Sequence, residues 1–511
     1  MRISERYEAR PGTRTRMLAA AVVTVLGLAA VSARADDLAE LRQRLDAQEQ
    51  QIKAQERRLA ERDATGSNAE PAQLEQQQQQ IKVLERKLEL NEETARTAAA
   101  STATVKASPK GFSIQSADGA NVVKLRGTLH FDGRYFLDDT APDLSDTWIL
   151  RRVRPTLEGT LNNIWDFRFT PDFAGGKTII LDAFGAVRLK PWAVVTAGKF
   201  KVPVGLERLV SANDLKFIER GFPTILVPNR DLGVSLGGDI AGGAVQYSAG
   251  VFNGVVDGNS SDAQADVETD NDRDWAARVF FQPFLNSDNF ALRGLGFGVA
   301  ATYVDALGNV QNPGLPTYRN PDQQSFFRFR GDIASTPNIN ETVFIDGERL
   351  RVTPQAYYYV GSFGALGEYV HVTTPVSRDT AAGRRHDDLD IEAWQISLSY
   401  FLTGEEAAFK GFTPNTTFNL EKGTWGAFEV VARYNQLSID EAAFAGGALS
   451  YVDPATSPSK ATEVAVGLNW YFNQNFKWQV DYAQVSYEGG APNGGDRGDS
   501  KVVLTRFAVG F

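Results

Sequence analysis

From about residue 111 to residue 511 the chain alternates apolar and charged side chains with a period of two, segment after segment. Neighbouring side chains of a strand point to opposite faces, so each such segment folds as a strand with one apolar and one charged face. In residues 123–136, Val123, Leu125, Gly127, Leu129, Phe131 and Tyr135 share one face, and Lys124, Arg126, Thr128, His130, Asp132 and Arg134 share the other. Residues 149–161 set Arg152, Arg154, Thr156, Glu158 and Thr160 against Val153, Leu157 and Leu161. Further on, Phe428, Val430, Ala432 and Tyr434 oppose Glu429 and Arg433, and Phe476, Trp478, Val480 and Tyr482 oppose Lys477, Gln479 and Asp481. Soluble sandwiches also alternate. Here the polar face is charged in strand after strand, as a water-filled lumen requires, and aromatics gather near strand ends as at membrane interfaces. Short turns also alternate with long polar inserts, such as residues 257–274 and 307–324. Closing the sheet removes every unpaired edge from lipid. The expected fold is all-β: a transmembrane antiparallel β-barrel of about 16 strands over residues 111–511.

The rest of the chain is read differently. The mean hydropathy of -0.28 argues against a bundle of membrane helices. There is no Cys, so neither disulfides nor thiolate metal sites contribute. A net charge of -10 provides no general basic field for nucleic acid. Arg14 and Arg16 precede an apolar run from Met17 to Val31, and Ala33-Arg34-Ala35 follows it. That pattern marks residues 1–35 as a secretory signal peptide; an uncleaved anchor is the alternative, and the long stretch before Met17 leaves room for a later start. Leu38, Leu41, Leu45, Gln48, Ile52, Gln55 and Leu59 keep heptad spacing, as do Leu74, Gln77, Ile81, Leu84, Leu88 and Asn91. Such a seam seeks partner helices, so residues 36–94 read as a short α-helical coiled-coil stalk in the periplasm, or else as a solvated charged segment. Residues 95–110 read as a linker. At the other end, Val503, Thr505, Phe507, Val509 and Phe511 alternate along the final strand, as in the terminal strands read by outer-membrane assembly machinery.

The segment Gly198-Lys199-Phe200-Lys201-Val202-Pro203-Val204-Gly205-Leu206-Glu207-Arg208-Leu209 resembles the phosphate-selective porin O and P family, as do residues 217–223 (FIERGFP) and 227–234 (VPNRDLGV). Residues 151–159 (RRVRPTLEG), 171–173 (PDF), 366–370 (LGEYV), 402–405 (LTGE) and 469–471 (NWY) add to the likeness, which covers nearly the whole barrel region. The resemblance implies a homotrimeric, 16-stranded outer-membrane porin whose third external loop folds into the lumen. It also implies an Arg- and Lys-lined path for anions, from phosphate and polyphosphate to small anions in general.

The same residues carry a physical reading of their own. Strand parity puts Arg126, Arg134, Arg152, Arg154, Arg168, Arg188, Lys199 and Lys201 on the charged faces of successive early strands, stacked as a stripe. The presumed inward loop, about residues 202–230, adds Arg208, Lys216, Arg220 and Arg230. Cations between low-dielectric walls concentrate anions, and Arg binds phosphate oxygens in pairs. Glu158, Asp166, Asp172 and Asp182 lie on the same faces and are positioned to neutralise much of the stripe, and Arg220 is placed to brace the loop. With three His and no nucleophile motif, neither an enzyme, a metal site nor a cofactor is expected; His130 falls in the lumen and His386 in a polar loop. Residues 266–274 lack the spacing of a calcium loop and read as a solvated external insert. Two functions stand: an anion-preferring passive channel in outer-membrane lipid, and a structural protein whose stalk contacts the cell wall while conduction is secondary.

Overall fold

The computed structural model describes residues 71–109, 111–137, 145–261, 272–334 and 336–511, with seven helical positions between 43 and 57. The expected signal peptide and most of the first heptad run lie outside the described residues. One helix, α1 (Pro71–Ser101), contains the second heptad run. Pro71 opens it, at the position where a missing N–H costs nothing. Ile81, Leu84 and Leu88 are more shielded than their neighbours, as seam positions are. The expected linker 95–110 takes regular structure instead. Ala-rich residues 95–101 continue the helix because Ala has the highest helix propensity. Strands β1 (Thr104–Ser108) and β2 (Gly111–Gln115) then pair as a hairpin.

The wall of the barrel follows. Strands β3 (Val122–Phe136), β4 (Thr147–Leu161), β5 (Trp165–Asp172), β6 (Ile179–Lys190), β7 (Ala193–Lys201), β8 (Arg230–Ile240), β9 (Val245–Phe252), β10 (Asp274–Phe281) and β11 (Leu295–Leu307) form its first part. A separate two-stranded hairpin, β12 (Thr317–Arg319) and β13 (Ser325–Arg328), interrupts the order within a loop. The wall resumes with β14 (Phe344–Val360), β15 (Phe363–Thr380), β16 (Gly383–Phe401), β17 (Ala427–Ile439), β18 (Pro458–Tyr471), β19 (Phe476–Gly489) and β20 (Ser500–Gly510). Each wall strand pairs antiparallel with its neighbours, and β20 pairs back onto β3 from Val502↔Phe136 to Gly510↔Thr128. The sheet holds eighteen strands; without β1 and β2, sixteen close the barrel. Strand β2 pairs with β3 at Phe112↔Leu125 to Gln115↔Val122, in the lane that β20 leaves at Gly510.

The alternation sorts as expected. Leu125, Leu129, Phe169, Ile396, Leu398 and Tyr400 are exposed on the outside, whereas Asp132, Arg152, Glu429, Arg433, Glu463 and Arg506 are buried inside. An apolar exterior and a charged interior suit a barrel in lipid. No helix among the described residues is long and apolar enough to cross a membrane, which does not bear on strands. The long β7–β8, β11–β14 and β17–β18 connections lie at one end of the barrel and pack inward, whereas the 25-residue β16–β17 connection lies at the other. Val202, Phe222 and Leu226 from the β7–β8 loop join Phe326, Phe327 and Val343 from the β11–β14 loop and Tyr451 and Val452 from the β17–β18 loop. They pack on Val370, Val372, Leu389, Ile391 and Leu437 of the β15–β17 wall, filling that side of the lumen with an apolar core. The open space lies against the arginine-bearing strands β3–β8.

Candidate permeation path

Strand β4 departs from strict alternation. His130 pairs with Arg152 and Phe131 with Leu150, so Arg151 is an extra residue, a β-bulge. The bulge turns Arg151 inward beside Arg152, where parity alone would face it to lipid. A second bulge, at Leu181 in β6, turns that side chain inward as well, although parity assigns it to the apolar face. Gly198, at φ 125°, sits where a Cβ would strike the backbone of Ala183 and Phe184, so only Gly lets β7 run close against β6 and present Lys199.

The β7–β8 loop, residues 202–229, crosses the lumen and is fastened at both ends of its span. On the β15–β19 wall, Glu368 accepts from the Leu206 and Glu207 amides (2.5 and 3.2 Å) and Asp481 from the Ile218 amide (2.7 Å). Asn435 accepts from the Phe222 amide, and Lys216 pairs with Glu429 at 2.7 Å. On the β3–β4 wall, Glu219 accepts from Arg151 at 2.6 and 3.3 Å and lies 3.5 Å from Arg506 and 3.8 Å from Arg152. Burial alone would push the Glu219 carboxyl up. Arg151 outweighs it, with Arg152 and Arg506, and holds Glu219 well below the usual carboxylate range. Arg152 donates to Nδ1 of buried His130 (3.1 Å), which fixes the tautomer in which Nε2–H donates to Asn213 of the loop (3.2 Å).

Two cavities flank this crossing. The upper one, about 1020 Å³, is lined by nine basic side chains, Arg134, Arg151, Arg152, Arg154, Lys201, Arg208, Arg220, Arg230 and Arg319, and four acidic ones, Asp172, Glu219, Asp231 and Asp257. The lower one, about 550 Å³, carries Arg126, Lys216, Lys477 and Asp214. Burial, then Arg220 and Arg230, pulls the Arg208 guanidinium down to about 9. Burial also pulls Arg220 down to about 10, against the attraction of Glu207 and Glu219. Both shifts are set first by burial, and at Arg208 the neighbouring Arg220 and Arg230 add to it.

The sequence-predicted cations are therefore brought together only in part. Arg134, Arg152, Arg154, Lys201, Arg208, Arg220 and Arg230 share the upper cavity; Arg126 and Lys216 line the lower; Arg168, Arg188 and Lys199 line neither. The four carboxylates expected to neutralise them do form pairs. Glu158 meets Arg126 and Arg168 at 2.7 Å each, Asp166 meets Arg188 at 2.5 Å, Asp172 meets Arg154 at 2.6 Å and Asp182 meets Arg230 at 2.8 Å. Lys201 is spent on the loop, donating to the Arg208 and Val210 carbonyls at 2.8 and 2.9 Å. Lys199 is buried and donates to the Ser261 carbonyl at 3.1 Å. Arg220 braces the loop internally, at the Glu207 and Val210 carbonyls (3.2 and 2.8 Å), and not against the wall. Arg208 donates to the Thr224 carbonyl. Arg134 alone of the predicted set lines the upper cavity with no hydrogen-bond or ion-pair partner among the described residues. Sequence reasoning missed Arg151, Arg319 and Arg506. The first was hidden by the bulge and the second by its place in the short strand β12, within a long insert that carries no alternation of its own. The third was legible, since Arg506 alternates with outward Phe507; it pairs with Asp132 at 2.7 Å.

Two smaller expectations change. Asp274 is not solvated: with Asp257 it clasps the buried Arg351 at 3.1 and 2.6 Å, while most of 266–274 lies outside the described residues. His386 lies in β16, not in a loop, with Nδ1 3.0 Å from the Ser377 hydroxyl. That hydroxyl is buried and already donates to Asp346 at 2.6 Å, so the imidazole can only donate to it. The contact holds neighbouring strands together and does not activate a nucleophile.

The sequence matches the family described as phosphate-selective porin O and P over residues 123–511. A search of curated proteins found no match. Among solved structures, the chain is similar to the outer membrane channel DcaP of Acinetobacter baumannii, at 12% identity and a TM-score of 0.46, over 77% of this chain and 98% of that one. It is also similar to an anion-selective porin from Comamonas acidovorans, at 14% identity and a TM-score of 0.43, over 76% of this chain and 100% of that one.

Proposed function

The chain belongs to the phosphate-selective porin O and P family and is an outer-membrane porin channel, and from that premise we propose that it passes anions, phosphate among them, in preference to cations. The observation that carries the proposal is the nine-to-four excess of basic over acidic side chains around the upper cavity. It arises despite a chain net charge of -10, because the carboxylates of the opposite wall, Glu368, Glu429, Glu463 and Asp481, are buried. Cations facing water between low-dielectric walls raise the local anion concentration. Most of them are already paired, so each holds a passing anion loosely, and a conducting site must let its ion go. Arg134, Arg151, Arg154 and Arg319 are the residues assigned to the path, ahead of Arg152 and Lys199, which are buried, and of Lys201. The family resemblance supports a homotrimer, while the basic flank, apolar run and Ala33-Arg34-Ala35 support removal of residues 1–35 on export, which would leave the heptad-bearing stalk in the periplasm.

Single-channel recording in a planar bilayer tests this. The reversal potential across a KCl gradient is expected to favour anions, and added phosphate to reduce the chloride current. A cation-favouring potential that ignores phosphate would leave the barrel and remove the anion path. The envelope-tethering reading is carried by α1, a 31-residue helix with a heptad seam.

A further inference from the structure

Pairing registers define a slot on the outer face of the barrel, away from the lumen. One transverse row of outward side chains runs Val234, Val251, Trp275, Tyr303, Leu350. The next runs Leu236, Ala249, Ala277, Ala301, Val352, and the one after it Tyr247, Val279, Val299, Pro354. Three consecutive alanines thus lie between rows of larger side chains and leave a groove of about 540 Å³ with no charged residue in its lining.

We propose that this groove binds one saturated acyl chain of the glycolipid in the outer leaflet, an inference that rests on the barrel standing in an outer membrane with its long loops outward. Same-face rows lie roughly 6.7 Å apart, so a recessed row leaves a slot about one carbon chain wide, carbon contacts being ~4 Å. The three alanine-bearing strands give the recessed floor a length of roughly 10 Å, and Leu236 and Val352 bound it at either end. A second barrel presents a convex wall that rests on the ridges and leaves the alanine floor empty, whereas a flexible hydrocarbon reaches it. Trp275 and Tyr303, 60% and 43% exposed, form the loop-side rim, and such rings sit at headgroup level. Beyond that rim the outward residues turn polar at Asp305 and Glu348, opposite each other in the ladder, so the slot opens just beneath the headgroups on the loop side.

The test is to purify the full chain from outer membranes in mild detergent and identify bound lipid by native mass spectrometry and fatty-acid analysis. Wild type and Val466→Phe, on the lipid face of β18, are expected to keep glycolipid. Ala277→Phe and Ala301→Phe, which fill the slot from outside, lower retention by roughly ten-fold or more. Equal retention in all four proteins, or phospholipid in its place, overturns the proposal. So does a fall in association state in Ala277→Phe without lipid loss, which would make the face a contact between copies. Should either alanine variant fail to assemble, vesicles containing glycolipid with brominated acyl chains provide a second readout. They are expected to quench the fluorescence difference between wild type and Trp275→Phe, and no quenching overturns the inference. A barrel that binds glycolipid yet favours cations would sink only the anion reading.

Discussion

Arg134 and Arg319 differ from the other cations of the upper cavity in forming no side-chain hydrogen bond or ion pair among the described residues, although Glu219, Asp132 and Asp322 lie within electrostatic reach of Arg134. A paired cation contributes little net field at a distance, so these two dominate the mouth of the path. Arg134→Glu and Arg319→Glu are each expected to lower the anion-to-cation permeability ratio several-fold in bilayer recordings. Arg188→Gln, whose native side chain spends its charge on Asp166 and lines neither cavity, is expected to change the ratio little. Arg506 has a different task. It is fully buried between Asp132 and the Ile218 carbonyl, with Glu219 at 3.5 Å. Arg506→Met strands Asp132 without its partner and is expected to cost about 3–5 kcal/mol, read by urea unfolding in lipid vesicles. Parity placed eight of the twelve candidate cations on the wall and the family likeness put the other four on the inward loop; of these, Arg230 instead opens β8. What parity could not supply is partnership. Whether Arg154 faces water or Asp172 depends on which strands become neighbours, and a single strand does not carry that information.

The β7–β8 loop is the element that turns a wide barrel into a path, and its two attachments differ in kind. On one side wall carboxylates and amides take up its backbone N–H groups; on the other its own Glu219 enters a cluster of arginines. Because Glu219 is held below its ordinary range, its contribution to anchoring is full above the unfolded carboxylate pKa and is lost only as pH falls through the depressed value. At pH about 4, where a free Glu is near half protonated, the loop is therefore expected to remain attached on the arginine side. Single-channel conductance of the wild type should show no step increase on this account between neutral pH and that point. In Glu219→Gln the attachment is weakened at every pH, and frequent open-channel flicker is the expected sign; a flicker-free Glu219→Gln channel would show that the wall amides suffice. The bulge at Arg151 matters at this scale too, since it places two successive arginines within reach of one carboxylate. The alternating pattern concealed it because a bulge is a local slip of register, set by the pairing of β4 with β3 and invisible in β4 alone.

At the scale of the whole molecule, the closed sheet needs nothing that precedes it. The β3–β20 seam closes the barrel, and the first residues to join the sheet are those of β1, from Thr104. Residues 71–101 form their own helix, whose seam of Ile81, Leu84 and Leu88 is too interrupted by Gln and charge to be a strong association motif alone. The extent of that helix also corrects where a deletion should end. A cut through residue 107, natural if 95–110 were a linker, removes most of β1 and leaves β2 with an unpaired edge beside the C-terminal strand. Deleting residues 36–103 instead spares the hairpin. If the channel and the stalk are separate devices, this deletion leaves conductance and reversal potential unchanged in a planar bilayer, while cells carrying it leak periplasmic enzyme or become sensitive to detergent. If conductance shifts or the channels no longer insert as trimers, the helix serves assembly of the barrel, and the tethering reading loses its only support.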